Sequence, residues 1–107
     1  MGEFREYNLA MEKEQRLITL LKERGLEDPE THALLIKRAT EIDQEAERAN
    51  NNRAYVEADL KKARLYLAAG FEDEAYESFS AARQAAAQEG FDDLKANIES
   101  EMSVLEE

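Results

Sequence analysis

Length, composition and charge already narrow the class of protein. The chain has 107 residues, and its 25 acidic residues against 14 lysines and arginines give a formal net charge of −11. That length fits one domain spanning residues 1–107. No segment approaches the roughly 20 apolar residues of a membrane span, and the N-terminus lacks the order of a signal peptide, so we expect a soluble cytoplasmic protein without a membrane partner. Because the chain lacks cysteine and has one histidine, we expect no disulfide, metal or cofactor.

The negative charge is concentrated in the last third of the sequence. Residues 1–70 hold 12 basic and 14 acidic residues, whereas residues 71–107 hold Arg83 and Lys95 against 11 acidic residues. A field of this sign repels phosphate backbones, so direct binding of nucleic acid is not expected. Two interpretations stay open, a solvated helical surface that aids solubility and a recognition surface for a basic partner.

Sparse glycine and proline predict long helices. Pro29 is the only proline, the internal glycines are Gly25, Gly70 and Gly90, and residues that favour helices dominate the rest. The fold class is therefore all-α, with about five antiparallel helices joined by short turns, as helical hairpins or a short bundle. We expect a first hairpin over residues 3–50, a second over 53–89 and a capping helix over 91–107.

The first hairpin has clear start and stop signals. Its first helix is predicted from about Phe4 to Arg24 and stops at Gly25, and the second starts at Asp28 and Pro29, which can cap a helix and occupy its first position. Apolar residues recur at helical spacing in both helices. They are Tyr7, Met11, Ile18 and Leu21 in the first, and Leu35, Ala39, Ile42, Ala46 and Ala49 in the second.

The boundary after the second helix is less strongly signalled. Three asparagines, Asn50 to Asn52, suit a turn and a helix start but also permit one continuous helix, and we favour the break. Beyond it, three further helices end near Gly70, near Gly90 and near the C-terminus. Their apolar stripes are Val56, Leu60, Ala63 and Leu67, then Ala75, Phe79, Ala82 and Ala86, then Leu94, Ile98, Met102 and Leu105.

The hairpin centred on Gly70 has an ordered pattern of small and aromatic residues. Ala63 and Tyr66 precede the turn, and Ala75, Phe79 and Ala82 follow it at intervals of four and three. Over about residues 56–89 this pattern resembles one tetratricopeptide (TPR) repeat, in which small residues let two helices approach closely and aromatic residues fill the space around them. Five of eight signature positions match.

Three signature positions depart from the pattern. The family's first aromatic falls on Asp59, its leucine falls on Lys62 and its closing proline falls on Ala87. A second interpretation stays open, because any tight helical hairpin selects glycine at its turn and alanine on its facing stripes. If the resemblance holds, it implies a module that binds a peptide or helix in a groove lined by the first helix of the hairpin. The residues implied to bind the partner are Glu57, Leu60, Lys61, Arg64 and Leu67.

Catalytic and metal motifs do not emerge from the sequence. Di-metal bundles need a Glu three residues before a His, and the residue three positions before His32 is Pro29. Paired acids such as Asp92 and Asp93 lack the pattern of a calcium loop. There is no phosphate loop and no nucleophile motif. We therefore expect no enzyme.

The leading functional hypothesis is a small protein-interaction module, an adaptor or small chaperone, that binds a peptide or helix on a helical face. The alternative is an acidic inhibitor or nucleic-acid mimic that blocks a basic site on a partner protein. A homodimer can accompany either, because one repeat with flanking helices buries little surface, and the first and second helices are its candidates.

Overall fold

Five α-helices make up the described chain. The structure, a computed structural model, describes the backbone of residues 2–105 and the side chains of residues 12–105. The helices are α1 (Gly2–Arg24), α2 (Pro29–Ala49), α3 (Asn52–Ala69), α4 (Glu72–Glu89) and α5 (Asp92–Met102). The all-α prediction is confirmed, and within the described residues no helix is both long and apolar enough to cross a bilayer.

The backbone contacts divide the chain into two compact units, Met1–Ala39 and Thr40–Glu107. The division falls within α2, so the single-domain organisation over residues 1–107 stays a prediction. The helix ends fall within one residue of the bounds 3–50 and 53–89, and the organisation into two hairpins also stays a prediction. An exception is α5, which ends at Met102 rather than continuing towards residue 107.

In the first unit, the α1–α2 turn is built as the sequence predicts. Gly25 has a φ of 83°, and Asp28 Oδ2 accepts hydrogen bonds from the Thr31 backbone N–H at 3.0 Å and the Thr31 hydroxyl at 2.8 Å. These bonds satisfy Thr31, whose side chain is fully buried, and they lower the pKa of Asp28. Leu17, Leu21 and Leu35 are buried, whereas the predicted face residues Tyr7 and Met11 lie outside the described side chains.

The break between α2 and α3 is confirmed. Asn50 adopts a left-handed φ of 52°, and the Asn51 side chain accepts a hydrogen bond from the Ala54 backbone N–H at 2.8 Å. Asparagine tolerates that backbone region and is a good helix cap, which explains why two adjacent asparagines end one helix and start the next.

The next two turns repeat one conformation. Gly70 and Gly90 have φ values of 89° and 75°, and the backbone N–H groups of Phe71 and Phe91 each donate 2.9 Å hydrogen bonds to carbonyls five residues earlier. This is the Schellman arrangement, which requires a left-handed residue and so favours glycine. With Asn50, the left-handed residues recur every 20 positions.

The second unit has a core formed by α3, α4 and α5. The predicted stripes supply its buried residues: Val56, Leu60 and Ala63 from α3, Ala75, Phe79, Ala82 and Ala86 from α4, and Leu94, Ile98 and Met102 from α5. Leu67 and Leu105, the last members of two predicted stripes, are only partly buried against this core. The alanines of α4 leave room for close approach of α3 and α5, and the fully buried Phe79 ring fills the centre.

α3 is also buried on a second side. Ala58 packs with Ile42 and Ala46 of α2, and Leu65 and Ala69 are 3% and 5% exposed. The sequence stripe identified only the side that faces α4, because alanine and leucine are common on both faces of this helix. α3 is therefore buried on two sides, one facing α4 and one that includes Ala58 against α2.

Candidate protein-binding surface

The predicted binding residues lie along one exposed row of α3. Arg53, Glu57, Lys61 and Arg64 follow at intervals of four, four and three, which places them on one side of a helix. We call these four residues the α3 charged stripe. Arg53 is half-buried and the other three are exposed, so their charged ends are accessible to a partner.

Two arginines of the α3 charged stripe hold carboxylates of α5. Arg64 Nε donates to Glu101 Oε1 at 2.8 Å and a terminal guanidinium nitrogen donates to Glu101 Oε2 at 3.1 Å. Arg53 pairs in the same two-pronged way with Asp93, and its guanidinium lies 5.6 Å from the Phe91 ring centroid. The planar guanidinium fork matches a carboxylate, so each pair fixes orientation as well as charge.

The two pairs also set the direction of the helices. Arg53 and Asp93 lie near the starts of α3 and α5, while Arg64 and Glu101 lie towards their ends. α3 and α5 therefore run parallel and side by side, with α4 antiparallel to both. Hydrogen bonds from Arg53 lower the pKa of Asp93, and hydrogen bonds to Glu101 raise the pKa of Arg64.

The lysines of α3 pair instead with α2. Lys61 Nζ lies 3.7 Å from Glu45 Oε2, and Lys62 Nζ lies 2.6 Å from Asp43 Oδ1. Partial burial raises the pKa of Asp59, which is close enough to Lys62 and Asp43 to feel both charges. Two of the three positions that depart from the TPR pattern, Asp59 and Lys62, thus belong to a polar contact between α2 and α3.

The structure separates the five predicted binding residues into two groups. Glu57, Lys61 and Arg64 are exposed, with Glu57 Oε1 3.5 Å from Arg53 Nε. Leu60 is 4% exposed and belongs to the core, and Leu67 is half-buried against that core. Leu60 has almost no surface for a partner, because it belongs to the α3 packing stripe and its side chain is buried in the core.

The pairs to α5 were missed from the sequence. Asp93 follows Arg53 by 40 residues and Glu101 follows Arg64 by 37, as expected for two pairs between parallel helices. This spacing alone does not show that α3 and α5 are parallel neighbours. Ion pairs between exposed side chains contribute little to stability, so a partner carboxylate can compete with α5 for either guanidinium. Arg53 and Arg64 can therefore release a carboxylate of α5 and bind a carboxylate of a partner in its place.

The N-terminal turns of α4 carry a second charged surface of opposite character. Glu72, Asp73, Glu74 and Glu77 form no ion pair with any residue the structure describes. The first three lie in the first turn, where the positive end of the helix dipole stabilises negative charge. Tyr76 lies among them and is 42% exposed.

The remaining candidates from the sequence form no reactive cluster. His32 is exposed in the first turn of α2, and its backbone N–H donates to the Asp28 carbonyl at 2.8 Å. Over the part of the chain with described side chains, no three metal-ligating groups come together. Tyr55 is 45% exposed, whereas Tyr66 is half-buried against the core.

Comparisons with known proteins give no relative: no family model matches the chain, and neither do curated proteins or solved structures. The resemblance to a TPR repeat therefore stands on Ala63, Tyr66, Ala75, Phe79 and Ala82 alone.

Proposed function

We propose that this chain is a small non-enzymatic interaction module, an adaptor or small chaperone, that binds an acidic peptide or helix of a partner protein on the α3 charged stripe. The observation that carries the proposal is the two-pronged grip of Arg64 on Glu101 at 2.8 and 3.1 Å. A partner carboxylate presented at this position meets a guanidinium already held in the geometry that carboxylates require.

The shape of the surface supports the same function. α3 and α5 run parallel, so a partner segment can lie along the seam between them and reach Lys61 and Arg64 in succession. Leu67, half-buried at the end of the row, offers an apolar contact. The TPR resemblance supports the choice of this face, because that family binds peptides on the first helix of each hairpin.

The test uses the purified chain as bait with two charge-reversed variants. Lys61→Glu with Arg64→Glu removes the cations of the α3 charged stripe, and Lys37→Glu with Arg48→Glu changes the net charge equally on exposed positions of α2. We expect the first variant to lose a native partner that the wild type and the control both retain. Equal capture by all three proteins would contradict the proposal.

A second candidate function rests on a different surface. The unpaired acids at the start of α4 favour the alternative of an acidic inhibitor or nucleic-acid mimic that blocks a basic site. Long-range attraction of this kind weakens steeply as salt rises, whereas contacts that include apolar packing weaken less. Glu72→Lys with Glu77→Lys should abolish binding by an acidic mimic and leave binding on the α3 charged stripe intact.

A further inference from the structure

α4 carries a second row of side chains that borders its buried row. Glu72, Tyr76, Ser80, Arg83 and Ala87 follow at intervals of four, four, three and four, on the side of the helix next to the row that includes Phe79 and Ala82. We call these five residues the α4 flank. Glu72, Tyr76 and Ala87 are exposed, and Ser80 and Arg83 are half-buried.

Arg83 differs from the other cations of its neighbourhood. On α3 and α5, each described lysine or arginine forms an ion pair within 4.0 Å, but Arg83 pairs with no carboxylate among the described residues. Glu72 at the other end of the α4 flank is likewise unpaired. The flank thus has one unpaired charge of each sign, separated by an exposed tyrosine and a small residue.

When two copies of α4 lie antiparallel, the residues of the α4 flank on one copy face complementary residues on the other. Tyr76 lies four residues before Ser80 and Arg83 lies three residues after it, so two antiparallel copies centred on Ser80 place each Tyr76 ring at the level of the opposite Arg83. Glu72 lies one turn beyond Tyr76 on the same side, within reach of that arginine. Tyrosine and arginine are the residues most enriched in the contacts that dominate protein interfaces.

We propose that a second copy of this chain docks on the α4 flank, in an antiparallel α4–α4 contact whose two-fold axis passes beside Ser80. A cation–π contact and an ion pair then form twice, once on each side of the axis. Ser80 at the axis lets the two backbones approach closely.

Charge complementarity favours a second copy over other occupants. A strongly acidic partner is repelled by the four acids that surround Tyr76, and a strongly basic partner leaves Arg83 facing like charge. The same flank, reversed, places Arg83 opposite Glu72 and Glu72 opposite Arg83. The homodimer expected from the sequence is thereby assigned to α4 rather than to the first and second helices.

Sedimentation equilibrium of the full chain tests the contact over a wide range of concentration. About 0.5 M NaCl is used because two copies of net charge −11 repel each other, and salt screens that repulsion more than close contacts. We expect a reversible monomer–dimer equilibrium. Arg83→Glu should weaken dimerisation at least about tenfold, because it replaces two attractive contacts by repulsion. Lys95→Glu, which changes the net charge equally on α5, should leave dimerisation unchanged.

A mixing experiment tests the reciprocal geometry. Glu72→Lys and Arg83→Glu should each prevent homodimers, since each variant places like charges opposite each other. An equimolar mixture should dimerise, because the mixed pair has opposite charges at both contacts. Circular dichroism verifies that each variant keeps its helices.

Two results would overturn the proposal. One is a strict monomer at all concentrations and salt levels, and the other is a dimer that survives Arg83→Glu as well as it survives Lys95→Glu. A dimer that Arg83→Glu breaks but that the mixture fails to restore would overturn the antiparallel arrangement.

Discussion

α3 and α4 have the same length of 18 residues but use their surfaces differently. α3 is buried on two sides, and its four cations are paired to carboxylates of α2, α3 or α5. α4 buries one row, Ala75, Phe79, Ala82 and Ala86, and leaves its first-turn acids and Arg83 unpaired within the described chain.

The difference separates charges that pair within the second unit from charges that do not. Exposed charges on α3 pair with α2 or α5, whereas the first-turn acids and Arg83 of α4 pair with no described residue. Substitutions on the buried rows of both helices should therefore affect stability, and substitutions on their exposed sides should affect association.

The largest contrast is expected within α4 itself. Phe79→Ala removes a fully buried ring and should cost about 3–5 kcal/mol in free energy of unfolding, through lost burial and a residual cavity. Tyr76→Ala, three residues away and 42% exposed, should change it by no more than about 0.5 kcal/mol. Urea unfolding followed by circular dichroism measures both, and similar losses would contradict the assignment of the two faces.

A smaller effect is expected at the turn that joins the two helices. Gly70 has a φ of 89°, and no atom lies within 4 Å of an added Cβ, so Gly70→Ala should cost about 1–2 kcal/mol through backbone strain alone. Gly70→Asn should cost less, because Asn50 already adopts the left-handed region in the preceding turn. Equal losses for alanine and asparagine would show that strain is not the cause.

The ion pair between Arg64 of α3 and Glu101 of α5 should contribute less to the free energy of unfolding than Phe79 or Gly70 does. A double-mutant cycle of Arg64→Ala and Glu101→Ala should give a coupling energy of about 0.5–1 kcal/mol, because the pair is two-pronged but exposed. The matched cycle of Arg83→Ala and Glu77→Ala, within α4, should give none under conditions that keep the chain monomeric. Coupling in the second cycle would remove the distinction between the two helices.

The smallest effects concern pH and have opposite signs at two aspartates. The pKa of Asp93 is lowered in the folded chain, so its contribution to stability is present above the unfolded value and is lost as pH falls through the folded value. The pKa of Asp59 is raised by burial, so folding is favoured more as pH falls through that raised value. Carboxyl NMR titration should place Asp59 above and Asp93 below the ordinary value of 3.8.

Much of the fold could be predicted because local signals agree with each other. The capping pair Asp28 and Pro29, the asparagine break and the glycines at 70 and 90 fixed the helix ends, and the helical periodicity identified the row that includes Phe79. These features depend on residues close in sequence, which is why they are readable without a structure.

Other features depend on which helices become neighbours. Predicting the burial of Ala58 on the second side of α3 requires knowing that Ile42 and Ala46 of α2 lie against it. Predicting the two hydrogen bonds from Arg64 to Glu101 requires knowing that α3 and α5 are parallel. Leu60 shows how far the binding site could be predicted. Its position on the helix is compatible with either a groove or the core, and the structure places it in the core against α4.

The 20-residue recurrence of left-handed turns at Asn50, Gly70 and Gly90 has a consequence for how this chain tolerates changes of length. An 18-residue helix completes five whole turns, so the chain leaves α3 and α4 on the same side on which it entered. Deleting one residue from the middle of α4 would rotate everything beyond it by about 100° and aim Leu94, Ile98 and Met102 away from Phe79. The length of these helices therefore constrains the fold as strictly as the identity of their buried residues does.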